Sequence, residues 1–220
     1  MDRFIRQRDI LPPDKLAGLS VTVIGCGAVG SFTVLTLAKM GITDITVYDG
    51  DTVEEHNLPN QWYKPDHLGM NKTDALWDII HDFTGVELKA SAHHYDHEAL
   101  RGIVICCVDT MDTRLKIWRE VKKYEPELYL DTRMGAEVGK VLVVHPSLPA
   151  SCRKYEEDLY PSTEALQAPC TAKATVYCAA GLAAYVGSLV GGYAVGRQVR
   201  GAGHRLGEPG GCWGVGGDTR

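Results

Sequence analysis

The chain has 220 residues, of which 45% are hydrophobic and 23% are charged, and its net charge is -5 at pH 7. These values are ordinary for one soluble globular domain, whose core is large enough to fold without disulfides or a structural metal. The acidic balance argues against nucleic acid as the main partner.

The termini and the cysteines bear on the cellular compartment. Residues 1–7 are charged and lack the apolar core of a signal peptide. No stretch approaches the ~18 apolar residues of a membrane span, because glycines interrupt the best candidate, Tyr177 to Val195. The seven cysteines are odd in number and form no Cys-x-x-Cys pair. We therefore expect a cytoplasmic protein with free thiols, no membrane partner and no structural zinc.

Short apolar runs alternate with helical patterns along the chain. The runs predict strands at Ser20–Ile24, Asp44–Tyr48, Val86–Ala92, Ile103–Val108, Leu128–Leu130 and Lys140–His145. Helices are predicted at Ala28–Lys39, Asn71–Phe83, Asp112–Tyr124 and Thr175–Gln198. Because the strands are continuously apolar and alternate with helices, the sequence predicts an α/β, Rossmann-like fold. Its sheet is expected to be mostly parallel with helices on both faces.

The same pattern predicts a single domain over residues 1–198. Residues 1–19 form a charged lead-in, and residues 146–170 form a long loop rich in Pro, Ser and Glu. The Gly-rich residues 199–220 are predicted to be a flexible tail.

A glycine-rich turn separates the first predicted strand from the first long helix. Gly25 permits the tight turn, Gly27 lets the backbone approach a phosphate, and Gly30 lets the helix pack against the strand. Ala28 begins the helix, whose N-terminal N–H groups attract anions. Asp49 and Asp51 close the second strand, where a carboxylate binds a ribose. The unit therefore predicts a nucleotide site.

Two chemistries use such a turn: hydride transfer from NAD and adenylation by ATP. An NAD enzyme normally adds a substrate domain, and little of this chain remains for one. The residues beyond the turn resemble the ThiF/MoeB family of adenylating enzymes, which includes the ubiquitin-activating enzymes. The resemblance covers most of residues 1–145 and consists of these segments in the family's order: Arg3 to Gln7, Gly25 to Gly30, Asp49 to Val53, Asn57-Leu58, Gln61, Leu68-Gly69, Lys72, Asp109 and Arg114.

The resemblance implies a role for each matched residue. Asn57, Gln61 and Lys72 line the ATP phosphates, and Asp109 is the magnesium-associated aspartate. Arg6 reaches into the site of a partner subunit, which implies a homodimer. The domain at 1–198 would then be an ATP-binding adenylation domain.

The chemistry of adenylation agrees with this residue set. A carboxylate that is ionised at pH 7 attacks the α-phosphate and expels pyrophosphate, so no general base is needed. The site needs positive charge and alignment, which Lys72, Arg6 and a magnesium ion on Asp109 would supply.

Simpler explanations exist for single residues. Asp109 could cap the following helix, and Lys72 and Arg6 could be solvated surface charges. The sequence also departs from the family at Asn60, where an arginine is common. Either that phosphate contact is missing, or another residue such as Arg114 or Lys64 supplies it.

The cysteines and histidines suggest two further sites. Pro169-Cys170-Thr171 resembles the segment around the catalytic cysteine of ubiquitin-activating enzymes, which implies a thioester on Cys170. The alternative is an ordinary structural cysteine. His93, His94 and His97 form a cluster in which a metal site is conceivable, although separate surface histidines are favoured because nothing nearby completes a zinc geometry.

The sequence therefore predicts an enzyme that adenylates the C-terminal carboxylate of a small ubiquitin-like or sulfur-carrier protein ending in Gly-Gly. A peptide or RNA-linked carboxylate is a second possible substrate. The alternatives from other classes are an NAD-dependent oxidoreductase and a nucleotide-binding protein without catalysis.

Overall fold

One mixed sheet organises the residues that the computed structural model describes, which are 3–161, 163, 174–199 and 204–206. Within them, the sheet has seven strands in the spatial order β3-β2-β1-β4-β5-β6-β7. The strands are β1 (Ser20–Ile24), β2 (Asp44–Tyr48), β3 (Lys89–Ser91), β4 (Ile103–Cys106), β5 (Leu128–Gly135), β6 (Val138–Val144) and β7 (His204–Leu206).

The five strands from β3 to β5 are parallel, and β6 and β7 continue the sheet in antiparallel fashion. The chain builds outward from β1 to β3 and then crosses to β4 on the other side of β1. This reversal creates a crevice at the carboxyl ends of β1 and β4, where α/β sheets bind their ligands. The prediction of a Rossmann-like, mostly parallel sheet is confirmed.

Helices cover both faces of the sheet, as predicted. The helices are α1 (Pro13–Ala17), α2 (Ala28–Met40), α3 (Lys72–Thr84), α4 (Met111–Tyr124), α5 (Pro149–Glu156) and α6 (Val176–Ala194). One core forms between the sheet and α1, α2, α3 and α6. A second core forms on the opposite face beneath α4 and α5. The central strands are apolar at successive positions because both faces of the sheet are buried beneath helices.

Two regions differ from the sequence prediction. Pro149–Glu156 of the expected loop 146–170 form helix α5, which starts with proline at a first-turn position and buries Tyr155. His204–Leu206 of the expected flexible tail pair with β6 as strand β7. The prediction of an irregular loop and a flexible tail is therefore wrong for these segments.

Helix α6 explains the long apolar stretch near the end of the domain. It is long and apolar enough to cross a membrane, with a hydropathy of 1.3, but half of that window is buried inside the protein. A Cβ on Gly187 would lie 2.8 Å from Thr36, so glycine permits α6 to pack closely on α2. The buried half of the helix, which includes Leu182, Val186 and Val190, belongs to the core between the sheet and α2.

Candidate nucleotide-binding site

The glycine turn lies at the crevice between β1 and β4. Gly25 has a φ of +96°, and a Cβ there would lie 2.8 Å from the carbonyl oxygen of Cys107. A Cβ on Gly30 would lie 1.9 Å from the carbonyl oxygen of Gly25. Around Gly27, by contrast, nothing lies within 4 Å of such a Cβ. Two glycines are thus required by the fold, whereas Gly27 keeps open the space before the N-terminus of α2, where Ala28 is the first residue.

Asp49 fixes the shape of this turn. Its Oδ2 accepts a hydrogen bond from the backbone N–H of Cys26 at 2.7 Å, and its Oδ1 accepts one from the backbone N–H of Asp51 at 2.9 Å. The residue is 7% exposed. Burial, reinforced by the charge of Asp49, raises the pKa of the Cys26 thiol, which therefore stays protonated. Asp49 joins the ends of β1 and β2, and its ribose-binding role stays a prediction.

Lys72 is the cation that the structure brings to this corner. Its Nζ lies 2.8 Å from Oδ2 of Asp51, and only 9% of its side chain is exposed, against 56% for Asp51. The backbone N–H of Lys72 also donates to the carbonyl oxygen of Asp51 at 2.9 Å. Lys72 is therefore a fixed, buried ammonium group, which excludes the interpretation that it is a solvated surface charge.

The segment from Asn57 to Tyr63 lies over the turn. The backbone N–H of Trp62 donates to Oγ of Ser31 in α2 at 3.0 Å, and the hydroxyl of Tyr63 donates to the carbonyl oxygen of Cys26 at 2.6 Å. Asn57 is buried and accepts from the backbone N–H of Glu54 at 3.0 Å. Tyr63 was not identified from the sequence, because nothing in a polar segment indicates that one aromatic residue will hydrogen-bond to the turn.

Two carboxamides of this segment retain unused hydrogen-bonding capacity. Oδ1 of Asn60 and Oε1 of Gln61 are buried and have no hydrogen-bond partner among the described residues. Such a buried acceptor costs about 1–3 kcal/mol. Unsatisfied polar groups beside a phosphate turn are expected where a polar ligand completes the site.

Asp109 follows β4 on the other side of the crevice. It is exposed, and no hydrogen bond or ion pair joins it to another described residue. Gly25 approaches Cys107 and Val108, so Asp109 begins just beyond the contact between the turn and β4. Helix α4 is capped instead by Thr110, whose side chain accepts from the backbone N–H of Thr113 at 3.2 Å. The interpretation of Asp109 as a helix cap is therefore wrong.

Arg114 serves the core rather than the phosphates. It is 4% exposed and forms a buried ion pair with Asp131, which is 0% exposed. Asp131 also accepts from Nε of Arg133 at 2.8 Å and from the hydroxyl of Tyr155 at 3.0 Å. Arg114 cannot replace the arginine that is absent at Asn60. A carboxylate directly after a buried apolar strand is a signal for such a network, since a buried charge needs a partner.

Arg6 is not brought to the glycine turn of its own chain. The neighbours of Arg6 contact the opposite end of α2, where Gln7 donates to the carbonyl oxygen of Met40 at 2.6 Å and Phe4 packs on Gly41. A thirteen-residue helix is about 20 Å long, so Arg6 lies far from the turn of its own chain. Cys170 lies outside the described residues.

The three histidines after β3 do not converge. Nδ1 of His97 lies 2.6 Å from Glu120, Nε2 of His93 lies 3.6 Å from Glu98, and Nε2 of His94 lies 3.9 Å from Asp51. Separate partners favour the interpretation of surface histidines over a shared metal site.

Comparisons with known proteins agree with this geometry. A model of the ThiF family matches residues 6–197. Ubiquitin-like modifier-activating enzyme 5 of Arabidopsis thaliana is 40% identical over 62 residues, which are 28% of this chain and 14% of that protein. The protein of the same name from Xenopus laevis is 28% identical over 123 residues, 47% of this chain and 31% of its own length. The chain thus spans less than a third of these curated relatives.

A solved structure shares the fold. The crystal structure of E. coli MccB with ATP superposes with a TM-score of 0.69 at 16% sequence identity, covering 88% of this chain and 64% of MccB. At this identity the likeness shows a common fold and nothing more specific.

Proposed function

The chain belongs to the ThiF family, and we propose that it binds ATP and adenylates the C-terminal carboxylate of a small ubiquitin-like or sulfur-carrier protein. The observation that carries this proposal is Asp109, an exposed carboxylate that directly follows the contact between the glycine turn and Cys107-Val108 and has no partner among the described residues. An unpaired carboxylate repels phosphates that carry no metal ion, and the phosphates of NAD would bind in that form. It favours a nucleotide that arrives with a divalent cation.

The residues present suit magnesium. Asp109 offers an oxygen ligand that no described residue occupies, and Mg²⁺ is commonly held by one or two carboxylates together with substrate phosphates. When bound, the ion would offset charge on the phosphates as pyrophosphate leaves.

The proposed reaction needs alignment more than proton transfer. A carboxylate oxygen of the substrate bonds to the α-phosphorus, and the bond from that phosphorus to the oxygen bridging to the β-phosphate breaks. The electron pair leaves with pyrophosphate. The chain contributes the N–H groups at the start of α2, held open at Gly27, and the buried ammonium group of Lys72. Gln61 and Asn57 belong to the segment whose Trp62 and Tyr63 contact the turn and α2, and we propose them as phosphate contacts.

ATP–pyrophosphate exchange tests the function directly. Exchange is expected only with a carrier protein that ends in Gly-Gly, and it should be lost in Lys72→Ala and Asp109→Ala. The substrate class rests on the relatives named as ubiquitin-like modifier-activating enzymes. Exchange that requires a short free peptide instead would reassign the substrate, and NADH binding without any exchange would overturn the proposal.

A homodimer is proposed to complete the site. Arg6 lies at the far end of α2 from its own glycine turn, so it can reach phosphates only in a second copy. A two-fold axis across α2 would bring the C-terminal end of α2 in one chain, where Arg6 lies, to the glycine turn at the N-terminal end of α2 in its partner.

A second step on Cys170 is proposed to follow adenylation, in which the thiolate attacks the acyl carbonyl and AMP leaves. A thiol-sensitive adduct with the carrier should form in the wild type and disappear in Cys170→Ala, while Cys152→Ala serves as the matched control. An adduct that persists in Cys170→Ala would move the nucleophile elsewhere.

A cytoplasmic location is also proposed, since Cys26, Cys106, Cys107, Cys152 and Cys178 are free thiols.

A further inference from the structure

His94 presents an aromatic face beside the proposed ribose site. A Cβ built on Gly50 would lie 2.9 Å from Cδ2 and Nε2 of His94 and 3.0 Å from Cε1. Because three consecutive ring atoms lie at nearly equal distances, Gly50 meets the face of the imidazole rather than its edge. The side chain is 79% exposed, so the opposite face of the ring is open.

The loop that carries His94 is held in place by contacts on both sides. The hydroxyl of Tyr95 donates to the carbonyl oxygen of Glu98 at 2.5 Å, and Nδ1 of His97 lies 2.6 Å from Oε1 of Glu120. The rings of Tyr95 and His93 both pack edge to face on Tyr48. The imidazole is therefore presented from a fixed loop, which lowers the entropy lost when a ligand binds.

The order of the strands points to the ligand. The glycine turn follows β1, Asp49 follows β2, and His94 follows β3, and these strands are neighbours in the sheet. In a nucleotide the ribose lies between the phosphates and the base. Phosphates on the turn and a ribose on Asp49 therefore direct the base toward β3, where the open face of His94 lies.

We propose that His94 is the stacking platform for the adenine of ATP, a role that rests on the proposed function. Gly50 is part of the same proposed adenine site, because any side chain at this position would displace the His94 ring. Aromatic faces bind nucleobases by stacking. Nε2 of His94 lies 3.9 Å from Oδ1 of Asp51, so the ring is next to the proposed ribose site.

A metal site is the competing explanation for the same residues. Single ligand atoms of Asp49, Asp51 and His94 lie within 4.8 Å of one another. However, both oxygens of Asp49 already accept backbone hydrogen bonds, and Oδ2 of Asp51 accepts from Nζ of Lys72 at 2.8 Å. Three of these four oxygens therefore already serve internal contacts, which leaves only Oδ1 of Asp51 and Nε2 of His94 for a metal. A stacking role uses the ring face that a metal would leave unused.

Calorimetric titration of the full chain with MgATP and with magnesium tripolyphosphate separates the possibilities. His94→Ala is expected to weaken ATP binding about tenfold and to leave tripolyphosphate binding unchanged. His94→Phe, which keeps a flat ring, should bind ATP nearly as well as the wild type. Gly50→Ala should weaken ATP binding although His94 is present, and His81→Ala, which removes an exposed histidine of α3, is the matched control. Melting temperatures should stay constant, because the ring of His94 is exposed.

Each other outcome is decisive. Equal ATP binding by His94→Ala and the wild type, or an equal loss with tripolyphosphate, would overturn the platform while leaving the proposed function intact. Zinc binding without nucleotide that His94→Ala abolishes would replace the platform by a metal site. A wild type that binds tripolyphosphate but not ATP would overturn both proposals.

Discussion

Replacing Gly27 by alanine should separate nucleotide binding from folding. Its φ is -74°, which is not a left-handed conformation, and a Cβ there meets nothing within 4 Å. The added methyl group projects into the space before the N-terminus of α2, where a phosphate would lie. The chain should therefore fold normally and bind ATP poorly.

The size of the effect follows from the contacts that would be lost. A phosphate displaced by a methyl group loses one charge-assisted hydrogen bond to a backbone N–H group, worth about 1.5–3 kcal/mol. ATP affinity should then fall about 10- to 100-fold. Gly30→Ala provides the contrast, because its Cβ would lie 1.9 Å from a backbone oxygen and should cost about 3 kcal/mol of stability.

Calorimetric titration with MgATP and thermal denaturation measure the two effects. Gly18→Ala is the matched control, since its φ is -83° and its Cβ would only touch the carbonyl oxygen of Asp14 at 3.9 Å. If Gly27→Ala binds ATP as tightly as the wild type, the nucleotide does not lie on the turn. If it melts much lower, the turn is tighter than the geometry indicates.

Three further predictions concern the core, the thiols and the dimer. Asp131→Asn should lower the free energy of unfolding by about 3–5 kcal/mol in urea titrations, since Arg114 and Arg133 lose the charge they pair with, and an unchanged midpoint would refute the pairing. Burial raises the pKa of Cys106 to about 11 and of Cys107 to about 12, above the ordinary 9.0, so their contribution to stability is complete below pH 9 and declines as pH rises toward those values. A double alanine variant at both positions should show a shallower alkaline loss, and equal slopes would contradict this. Mixing inactive Arg6→Ala and Lys72→Ala chains should restore about a quarter of the exchange activity through mixed dimers, whereas no recovery would show that Arg6 does not act across subunits.

The sheet was predictable because its pattern is local. The bounds of β1 and β2 match the structure, since apolar β-branched runs end there at Gly25 and Asp49. The strand predicted from Val86 to Ala92 shortens to Lys89–Ser91 because β3 is an edge strand and pairs only with β2. Helix α5 was missed because its short polar segment carries a weak apolar pattern, and a single tyrosine provides its buried residue.

The site was predictable only in part. The spacing of the glycines and acids identified the turn and Asp49, whose hydrogen bond to Cys26 spans 23 positions and joins two strand ends. The Lys72–Asp51 pair and the Tyr63 clamp depend on how a loop folds back, which no periodicity records. The burial of Arg114 likewise followed from its partner on β5 rather than from its own position.

The charges at the crevice indicate what the chain lacks for its proposed reaction. Asp49, Asp51 and Asp109 bring three carboxylates to this edge, whereas Lys72 brings one ammonium group that already pairs with Asp51. The partial positive charge of about half a unit at the N-terminus of α2 does not balance them. A polyanion such as ATP should therefore require added cations, and we expect its affinity to fall at least about tenfold when magnesium is removed by chelation. Asp109→Asn should reduce this dependence on magnesium, because it removes the carboxylate that repels bare phosphates. Titrations of both proteins with and without the ion measure the difference, and an equal dependence in the two would show that Asp109 does not hold the metal.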